Sequence, residues 1–158
     1  KISVPVIIDA DAIFAVREKP EVVEGKDCII TPHYNEFFEL TDREIYELSL
    51  EEKIEIVKDE AKKLDATILL KGSTDIISNG EDLLVNRLGS PYLTVGGCGD
   101  TLAGIIGAVV SRGVPLIEAA SAGAYINVLA GQLAAKEVGE SLVATDLINF
   151  ISKAIWRI

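Results

Sequence analysis

The sequence contains few of the residues that build disulfide frameworks or cysteine and histidine metal centres. Its 158 residues include two cysteines, one histidine, one tryptophan and no methionine. Cys28 and Cys98 lie far apart with no CxxC spacing, so we expect neither a disulfide framework nor a cysteine zinc site. This cysteine usage favours a reducing, cytoplasmic location.

Long hydrophobic runs and an excess of positive charge are also absent. No apolar run approaches the roughly 18 residues that span a bilayer, and the opening KISVPVIID lacks the regions of a signal peptide. Lys and Arg number 15 against 25 Asp and Glu, which gives a formal net charge of −10. Such a surface repels polyanions, so we expect no nucleic-acid partner and no membrane partner.

Strands and helices alternate along the chain, which predicts an α/β fold. With 49% hydrophobic and 25% charged residues, the composition is that of one globular domain. Continuous apolar runs at 4–8, 28–30 and 67–70 are typical of buried strands in a parallel sheet. Residues 75–77 and 83–85 flank Asn79-Gly80, which predicts a hairpin.

Helices are predicted from their start signals. A short helix should open at Asn35-Glu36 after Pro32, and Ser49 with Glu52 forms a capping box for an amphipathic helix. A helix is expected from the glycine-rich residues 96–100 to about Arg112. Another begins near Pro115 and is rich in Ala and Gly, which predicts tight packing. The last helix is expected after Thr145, whose hydroxyl can cap it, and to run to the end of the chain.

The most informative segment is Gly96-Gly97-Cys98-Gly99-Asp100. Glycines before a helix let backbone N–H groups converge, and the helix dipole adds positive potential, so the segment predicts an anion or phosphate cradle. A carboxylate there suits a base or orienting group in proton or phosphoryl transfer. Leu102 excludes the dinucleotide fingerprint, and no Gly-Lys-Ser/Thr of a Walker A loop follows. The alternative is a structural helix start with Asp100 favoured by the dipole.

The same stretch, GGCGDTLAGIIGAVVSRG, resembles the GxGDxxxG signature of the ribokinase-like superfamily. Together with DADA at Asp9, TPHYNEF at Thr31 and LKGST at Leu70, it is similar to the ADP/ATP-dependent NAD(P)H-hydrate dehydratase family, over essentially the whole chain. The resemblance implies a three-layer ribokinase-like fold with a mainly parallel sheet. It also implies metabolite repair: a nucleotide phosphorylates the hydroxyl of hydrated NADH or NADPH, and phosphate then leaves.

The resemblance assigns roles to particular residues. Asp100 would be the catalytic residue and would contact the hydrate together with His33, while magnesium would accompany the ADP or ATP co-substrate. The amides of Gly97 and Gly99 would stabilise the developing phosphate charge. The loop that holds the adenine nucleotide would comprise Lys71, Gly72, Ser73, Thr74 and Asp75.

Some of these residues have simpler interpretations. Asp9 closes a buried strand where open α/β sheets bind ligands, and we expect it with Glu36 in the substrate site. Asp9 could instead bond loop amides, and Glu36 could merely favour a helix start. Outside the motif, His33 would be a turn residue and Lys71 a solvated surface lysine. Cys98 at a helix N-terminus could carry a lowered thiol pKa.

The chain departs from the family pattern at a few positions. Tyr34-Asn35 replaces the common Pro-Gly after TPH, and we expect Tyr34 to reshape the hydrate pocket. Asn127 stands where many members carry His. Family domains are longer, so residues 1–158 are assigned to the C-terminal part of one domain that lacks its N-terminal strands, and we expect this part to be unstable alone. Family members often form homo-oligomers, for which the small-residue helix near Leu116 is a candidate.

Two other functions are compatible with the same sequence features. A small-molecule kinase of the same superfamily, acting on a vitamin precursor or a sugar, would use Asp100 as the base for phosphoryl transfer. Its relatives tend to have Asn where His33 stands. A nucleotide-binding subunit without catalysis would not need Asp100.

Overall fold

A five-stranded sheet forms the centre of the fold. The computed structural model describes residues 3–89 and 91–157. The strands lie side by side in chain order. Their bounds are β1 Val6–Ile8, β2 Cys28–Ile30, β3 Thr67–Leu70, β4 Asp75–Ser78 and β5 Leu83–Asn86.

The sheet is mixed, whereas the sequence predicts a mainly parallel one. β1 and β2 pair in parallel, as do β2 and β3, but β4 pairs antiparallel with both β3 and β5. The reason is the connection length: short turns join β3 to β4 and β4 to β5, and a parallel crossover needs a dozen residues or more. The predicted hairpin therefore exists, as part of the main sheet.

Six α-helices of the described residues cover the two faces of the sheet. Their bounds are α1 Asp11–Glu18, α2 Tyr34–Thr41, α3 Leu50–Leu64, α4 Cys98–Val110, α5 Leu116–Val138 and α6 Ala144–Ile155. The Ser49 and Glu52 capping box of α3 is confirmed, whereas α1 was not predicted. Within the described ranges, no helix has the length and apolar character to cross a membrane.

The start of α6 differs from the sequence prediction. The helix begins at Ala144, one residue before Thr145, whose hydroxyl does not cap it. Instead the Asp146 carboxylate accepts the Val143 N–H at 3.0 Å. The carboxylate one turn into the helix reaches back to the entering backbone. The predicted extension to the chain end stops at Ile155, and residue 158 lies outside the described part.

The central strand residues are apolar because helices pack on both faces of the sheet. Side chains of successive strand residues alternate between the faces. On one face, Ile30, Ile68 and Ile76 pack against the layer of α1, α2 and α3. On the other, Ile29 and Leu69 pack with Ile106 and Ala120 of α4 and α5. The predicted three-layer α/β architecture is confirmed.

The small residues of α5 allow close packing inside the subunit. A Cβ at Gly123 would lie 2.5 Å from Ile106 Cγ1 on α4, and one at Gly131 would lie 2.4 Å from Leu93 Cδ2. Most alanines of α5 are likewise buried. The helix is therefore largely occupied within the fold, and homo-oligomer formation stays a prediction without this support.

Candidate active site

A cleft of about 520 Å³ lies where β1, β2 and β3 end and α4 begins. It is located at the carboxyl edge of the parallel strands, as expected for an open α/β sheet. The sequence-predicted residues that line it are Asp9, His33, Glu36, Lys71, Gly72, Asp75, Gly97, Gly99 and Asp100. Residues separated by up to 91 positions are thus brought to one site by the fold.

An ion-pair cluster forms the strand side of the cleft. Lys71 Nζ lies 2.9 Å from Asp9 Oδ1 and 3.5 Å from Glu36 Oε2. The Thr31 hydroxyl donates to the same Asp9 oxygen at 2.7 Å. Burial by itself raises the pKa of Asp9, but the hydrogen bonds from Lys71 and Thr31 outweigh it and hold the pKa below its ordinary value. Asp9 is therefore an ionised carboxylate at neutral pH.

The position of Lys71 excludes its interpretation as a solvated surface lysine. Its side chain is only 20% exposed because it points to the Asp9 and Glu36 carboxylates. Its backbone N–H donates to Pro32 O at 2.8 Å, which ties the end of β3 to the segment after β2. Lys71 thus links the predicted nucleotide loop to the predicted substrate residues.

His33 and Glu36 form a reciprocal cap at the start of α2. His33 Nδ1 accepts the Glu36 N–H at 3.1 Å, and Glu36 Oε2 accepts the His33 N–H at 2.7 Å. The other ring nitrogen, Nε2, lies 3.4 Å from Glu36 Oε1. His33 is thus a residue of the turn before α2, and Glu36 stabilises the start of that helix. Both side chains also line the cleft. One arrangement serves the helix and orients the imidazole.

The glycine-rich turn at the start of α4 forms the opposite boundary of the cleft. Gly97 precedes the helix with φ of 91°, a conformation that favours glycine. The first N–H groups of a helix have no intrahelical partner, so the turn offers donors to an anion. A Cβ at Gly99 would lie 3.4 Å from Asp9 Oδ2 and 3.7 Å from Lys71 Nζ. Gly99 thus lies close to the ion pair of Asp9 and Lys71, and Asp100 is the next residue in the chain.

The loop of residues 71–75 turns tightly between β3 and β4. The Gly72 N–H donates to Asp75 Oδ1 at 3.0 Å across the turn. Burial raises the pKa of Asp75 to about 6, although the Gly72 amide and the Lys71 charge act in the opposite direction. Ser73 lines an open groove of about 350 Å³ beside the cleft. Thr74 is not among the described residues that line the cleft or the groove, so its role in nucleotide binding rests on the sequence prediction alone.

Tyr34 does not line the cleft, in contrast to the expectation that it reshapes the hydrate pocket. It lines the adjoining groove and lies against Gly72 of the 71–75 loop. His33, the preceding residue, lines both the cleft and this groove. The departure from the family pattern therefore falls beside the 71–75 loop, which the sequence predicts to hold the nucleotide.

The α5 side of the cleft was not predicted from the sequence, in which Asn127 stood out only as a departure from the family pattern. Asn127 of α5 is almost fully buried; it accepts the Thr101 hydroxyl at 3.0 Å and donates to Cys98 O at 3.5 Å. This network fastens the first turn of α4 to α5. The apolar lining residues around it are Leu93, Val95, Leu102, Ala124 and Val128. Alone in the sequence, these residues resemble ordinary core positions.

Ala10 is a further lining residue with an unusual backbone. Its φ of 50° and ψ of −131° are sparsely populated for a residue other than glycine. The conformation reverses the chain between β1 and α1 directly after Asp9. Strain of this kind persists where surrounding structure enforces it, and it is found often at functional sites.

Cys98 does not have the environment of a reactive thiol. It is buried, and burial raises its pKa above the ordinary value. A raised pKa lowers the thiolate fraction at neutral pH. The expectation of a lowered thiol pKa at Cys98 is therefore wrong.

The fold defines the class of protein. The structure of the ADP/ATP-dependent NAD(P)H-hydrate dehydratase of Bacillus subtilis, co-crystallised with ATP and Mg²⁺, is similar with a TM-score of 0.84 and 29% sequence identity. The similarity covers 97% of this chain and 55% of that one. A ribokinase-like protein from Enterococcus faecalis is similar with a TM-score of 0.72 and 27% identity. This chain is a ribokinase-like α/β protein.

The family follows from sequence comparison. Residues 1–153 match the family model described as NAD(P)H-hydrate dehydratase. The chain is 41% identical over 151 residues to a bifunctional NAD(P)H-hydrate repair enzyme of Pyrobaculum aerophilum. It is 40% identical over 150 residues to an ADP-dependent (S)-NAD(P)H-hydrate dehydratase of Cenarchaeum symbiosum. The chain belongs to the NAD(P)H-hydrate dehydratase family.

The matched relatives are longer than this chain. It spans 29% of the Pyrobaculum enzyme and 52% of the Cenarchaeum enzyme, while 96% and 95% of its own residues are covered. The family is therefore established for nearly the whole chain, and the chain corresponds to about half of a dehydratase of this type.

Proposed function

We propose that this chain takes part in the nucleotide-dependent dehydration of hydrated NADH or NADPH. One observation carries the proposal: Asp100, in the glycine-rich first turn of α4, shares a cleft with His33, Glu36 and the ion pair of Asp9 and Lys71. Donors for a phosphate and a carboxylate for a hydroxyl proton are thus adjacent. Membership of the dehydratase family supports the same activity.

The proposed reaction has two steps. Asp100 orients the hydroxyl of the hydrate and accepts its proton while that oxygen attacks the terminal phosphorus of ADP or ATP, and the P–O bond to the nucleotide breaks. The new phosphate ester then loses its C–O bond, driven by the lone pair of the ring nitrogen. Loss of a ring proton restores the reduced nicotinamide. The products are inorganic phosphate and a nucleotide one phosphate shorter.

The amides at Gly97 and Gly99 suit the transferred phosphoryl group. N–H donors fixed before the reaction stabilise charge that develops in the transition state without further reorganisation. Lys71 Nζ lies close to Gly99 and adds a positive charge at the same point. This arrangement supports Lys71 as a phosphate contact and as part of the nucleotide loop.

His33, Glu36 and Asp9 suit the hydrated nicotinamide. The cap orients the imidazole of His33, whose Nε2 lies 3.4 Å from Glu36 Oε1 and whose side chain is 53% exposed. Glu36 and Asp9 are kept in place by Lys71. We assign these three residues to hydrate binding and the 71–75 loop to the adenine nucleotide.

Magnesium fits the proposed site as a companion of the nucleotide. The cleft lining contains four carboxylates, from Asp9, Glu36, Asp75 and Asp100, and one lysine. In the described ranges, no group of three or more His, Cys, Asp or Glu side chains is arranged to hold a metal ion by itself. The nucleotide phosphates would therefore hold Mg²⁺ beside these carboxylates, and the ion would supply charge neutralisation.

The test is recovery of reduced nicotinamide from its hydrate. The intact protein is mixed with Mg²⁺, ADP or ATP and chemically hydrated NADH or NADPH, and the absorbance of the reduced ring is followed. We expect recovery that requires nucleotide, and the four combinations establish both preferences. Asp100→Asn should lower the rate by about 10²-fold or more, because the proton acceptor is lost.

Asp59→Asn is the matched control. Asp59 is an exposed residue of α3, outside the cleft lining, so the same chemical change there should leave the rate unchanged. Nucleotide binding without recovery of absorbance would contradict the dehydratase proposal. Phosphorylation of a hydroxylated vitamin precursor or sugar would then favour a kinase.

A further inference from the structure

Tyr34 covers the backbone of the 71–75 loop at Gly72. A Cβ added to Gly72 would lie 3.1 Å from the Tyr34 hydroxyl oxygen and 3.3 Å from Tyr34 Cε1. The same Cβ would lie 3.1 Å from Thr74 O. The ring therefore occupies the space that a side chain at position 72 would need, and it is in van der Waals contact with the glycine.

The ring of Tyr34 is itself held by two other elements. Tyr46 lies edge-to-face with it, with ring centroids 6.1 Å apart and an interplanar angle of 88°. Lys53 Nζ of α3 lies 4.8 Å from the Tyr34 centroid and also donates to Tyr46 O at 3.1 Å. Such contacts stabilise a ring orientation. Tyr34 thus connects α3 and the segment before it to the 71–75 loop.

The 71–75 loop borders open space on two sides, the cleft and the adjoining groove. Lys71 and Gly72 line the cleft, and they also line the adjoining groove with Tyr34. Within the loop the Gly72 N–H donates to Asp75 Oδ1, and behind it the Lys71 N–H donates to Pro32 O. The Tyr34 ring adds a contact from the groove side, directly at Gly72.

We infer that Tyr34 is a positioning residue that sets the affinity for the nucleotide by fixing the 71–75 loop. The inference rests on the proposed nucleotide role of this loop but not on the dehydration chemistry. A loop held in its binding conformation loses less entropy when the ligand binds, so affinity is higher. The aromatic ring, and not its hydroxyl, carries the effect.

The experiment compares Tyr34→Ala and Tyr34→Phe in the intact protein. Binding of ADP and of ATP with Mg²⁺ is measured by calorimetry, and the KM for nucleotide and kcat are measured in the dehydration assay. We expect Tyr34→Ala to weaken nucleotide binding by roughly five- to tenfold and to raise its KM equally, with little change in kcat. Tyr34→Phe should keep most of the affinity. Lys53→Met should give a smaller loss than Tyr34→Ala.

Phe38→Ala is the matched control, because Phe38 is 41% exposed on the same helix and lies outside both spaces. It should leave nucleotide affinity unchanged. A folded Tyr34→Ala protein with the parental nucleotide affinity would overturn the inference, as would a rise in the KM of the hydrate alone. If Tyr34→Ala fails to fold, Tyr34→Leu and Lys53→Met provide the same comparison. Calorimetry measures nucleotide affinity even if no dehydration is found. The role of Tyr34 can therefore be rejected independently of the proposed dehydration activity.

Discussion

At the scale of single residues, Asp75 is a carboxyl group whose burial disfavours its ionised form. Its carboxylate is surrounded by the 71–75 loop and the start of β4, and it accepts the Gly72 N–H. Burial nevertheless raises its pKa to about 6, from an ordinary value of 3.8. The folded state therefore binds this proton more tightly than the unfolded chain does.

The raised pKa of Asp75 predicts a pH-dependent stability. Its contribution is fully present below the unfolded pKa of 3.8 and is lost as pH rises through about 6. Asp75→Asn keeps the acceptor for Gly72 but cannot ionise. Thermal unfolding should show the variant gaining stability relative to the parent between about pH 4 and about pH 6.5. A difference that stays constant across this range would contradict the prediction.

Gly99 lies in the first turn of α4 and also lines the cleft, so its substitution should affect helix stability and ligand binding differently. An added Cβ would meet Asp9 Oδ2 at 3.4 Å and Lys71 Nζ at 3.7 Å, which are ordinary contact distances. Gly99→Ala should therefore fold and gain up to about 1 kcal/mol from helix propensity. It should also weaken nucleotide binding on the order of tenfold, because the methyl group obstructs the anion donors.

Gly104→Ala is the control for this change, since Gly104 lies in the same helix with nothing within 4 Å of an added Cβ. It should show the same gain in melting temperature and unchanged nucleotide affinity. Equal affinity in Gly99→Ala and Gly104→Ala would show that the α4 turn does not bind the nucleotide.

At the scale of elements, the contact of α4 with α5 depends on a glycine. A Cβ at Gly123 would lie 2.5 Å from Ile106 Cγ1, closer than real contacts allow, and 3.2 Å from Ile106 Cα, which is a tight contact. Gly123→Ala should therefore push the helices apart and cost about 1–3 kcal/mol in the free energy of unfolding. Chemical denaturation measures this cost. No loss of stability would mean that Ile106 changes rotamer freely.

Local signals predicted most elements, and the exceptions have physical causes. Ser49 with Glu52 is a start signal contained in the helix itself, so α3 begins where expected. α1 lacks such a signal: its N-cap, Ala10, has no capping side chain and a strained backbone. Ile13 and Val16 are buried against β1 and β2, so this helix is stabilised by tertiary packing.

At the scale of the whole molecule, negative charge opposes the proposed co-substrate. The chain carries a net charge of −10, and the cleft combines four carboxylates with Lys71. A nucleotide polyphosphate must therefore bind against repulsion unless a cation accompanies it. This balance explains why a divalent ion belongs to the proposed reaction.

Removal of Mg²⁺ should weaken nucleotide binding in a salt-dependent way. With a chelator at low ionic strength, we expect affinity for ADP and ATP to fall on the order of tenfold or more, and the loss should shrink at high salt because screening reduces the repulsion. Titration calorimetry at two ionic strengths measures both effects. Metal-independent affinity at low salt would show that the cleft neutralises the phosphates with its own residues.

The sequence by itself determined the α/β class, the strands, the glycine-rich helix start at residues 96–100 and the resemblance to the dehydratase family. These depend on periodicity, capping residues and short motifs, which act within a few positions along the chain. Tertiary structure alone decided that Lys71 pairs with Asp9, that Tyr34 faces Gly72 and that Asn127 holds the first turn of α4. Such contacts join residues that are distant in sequence, and only the packing of helices on both faces of the sheet brings them together.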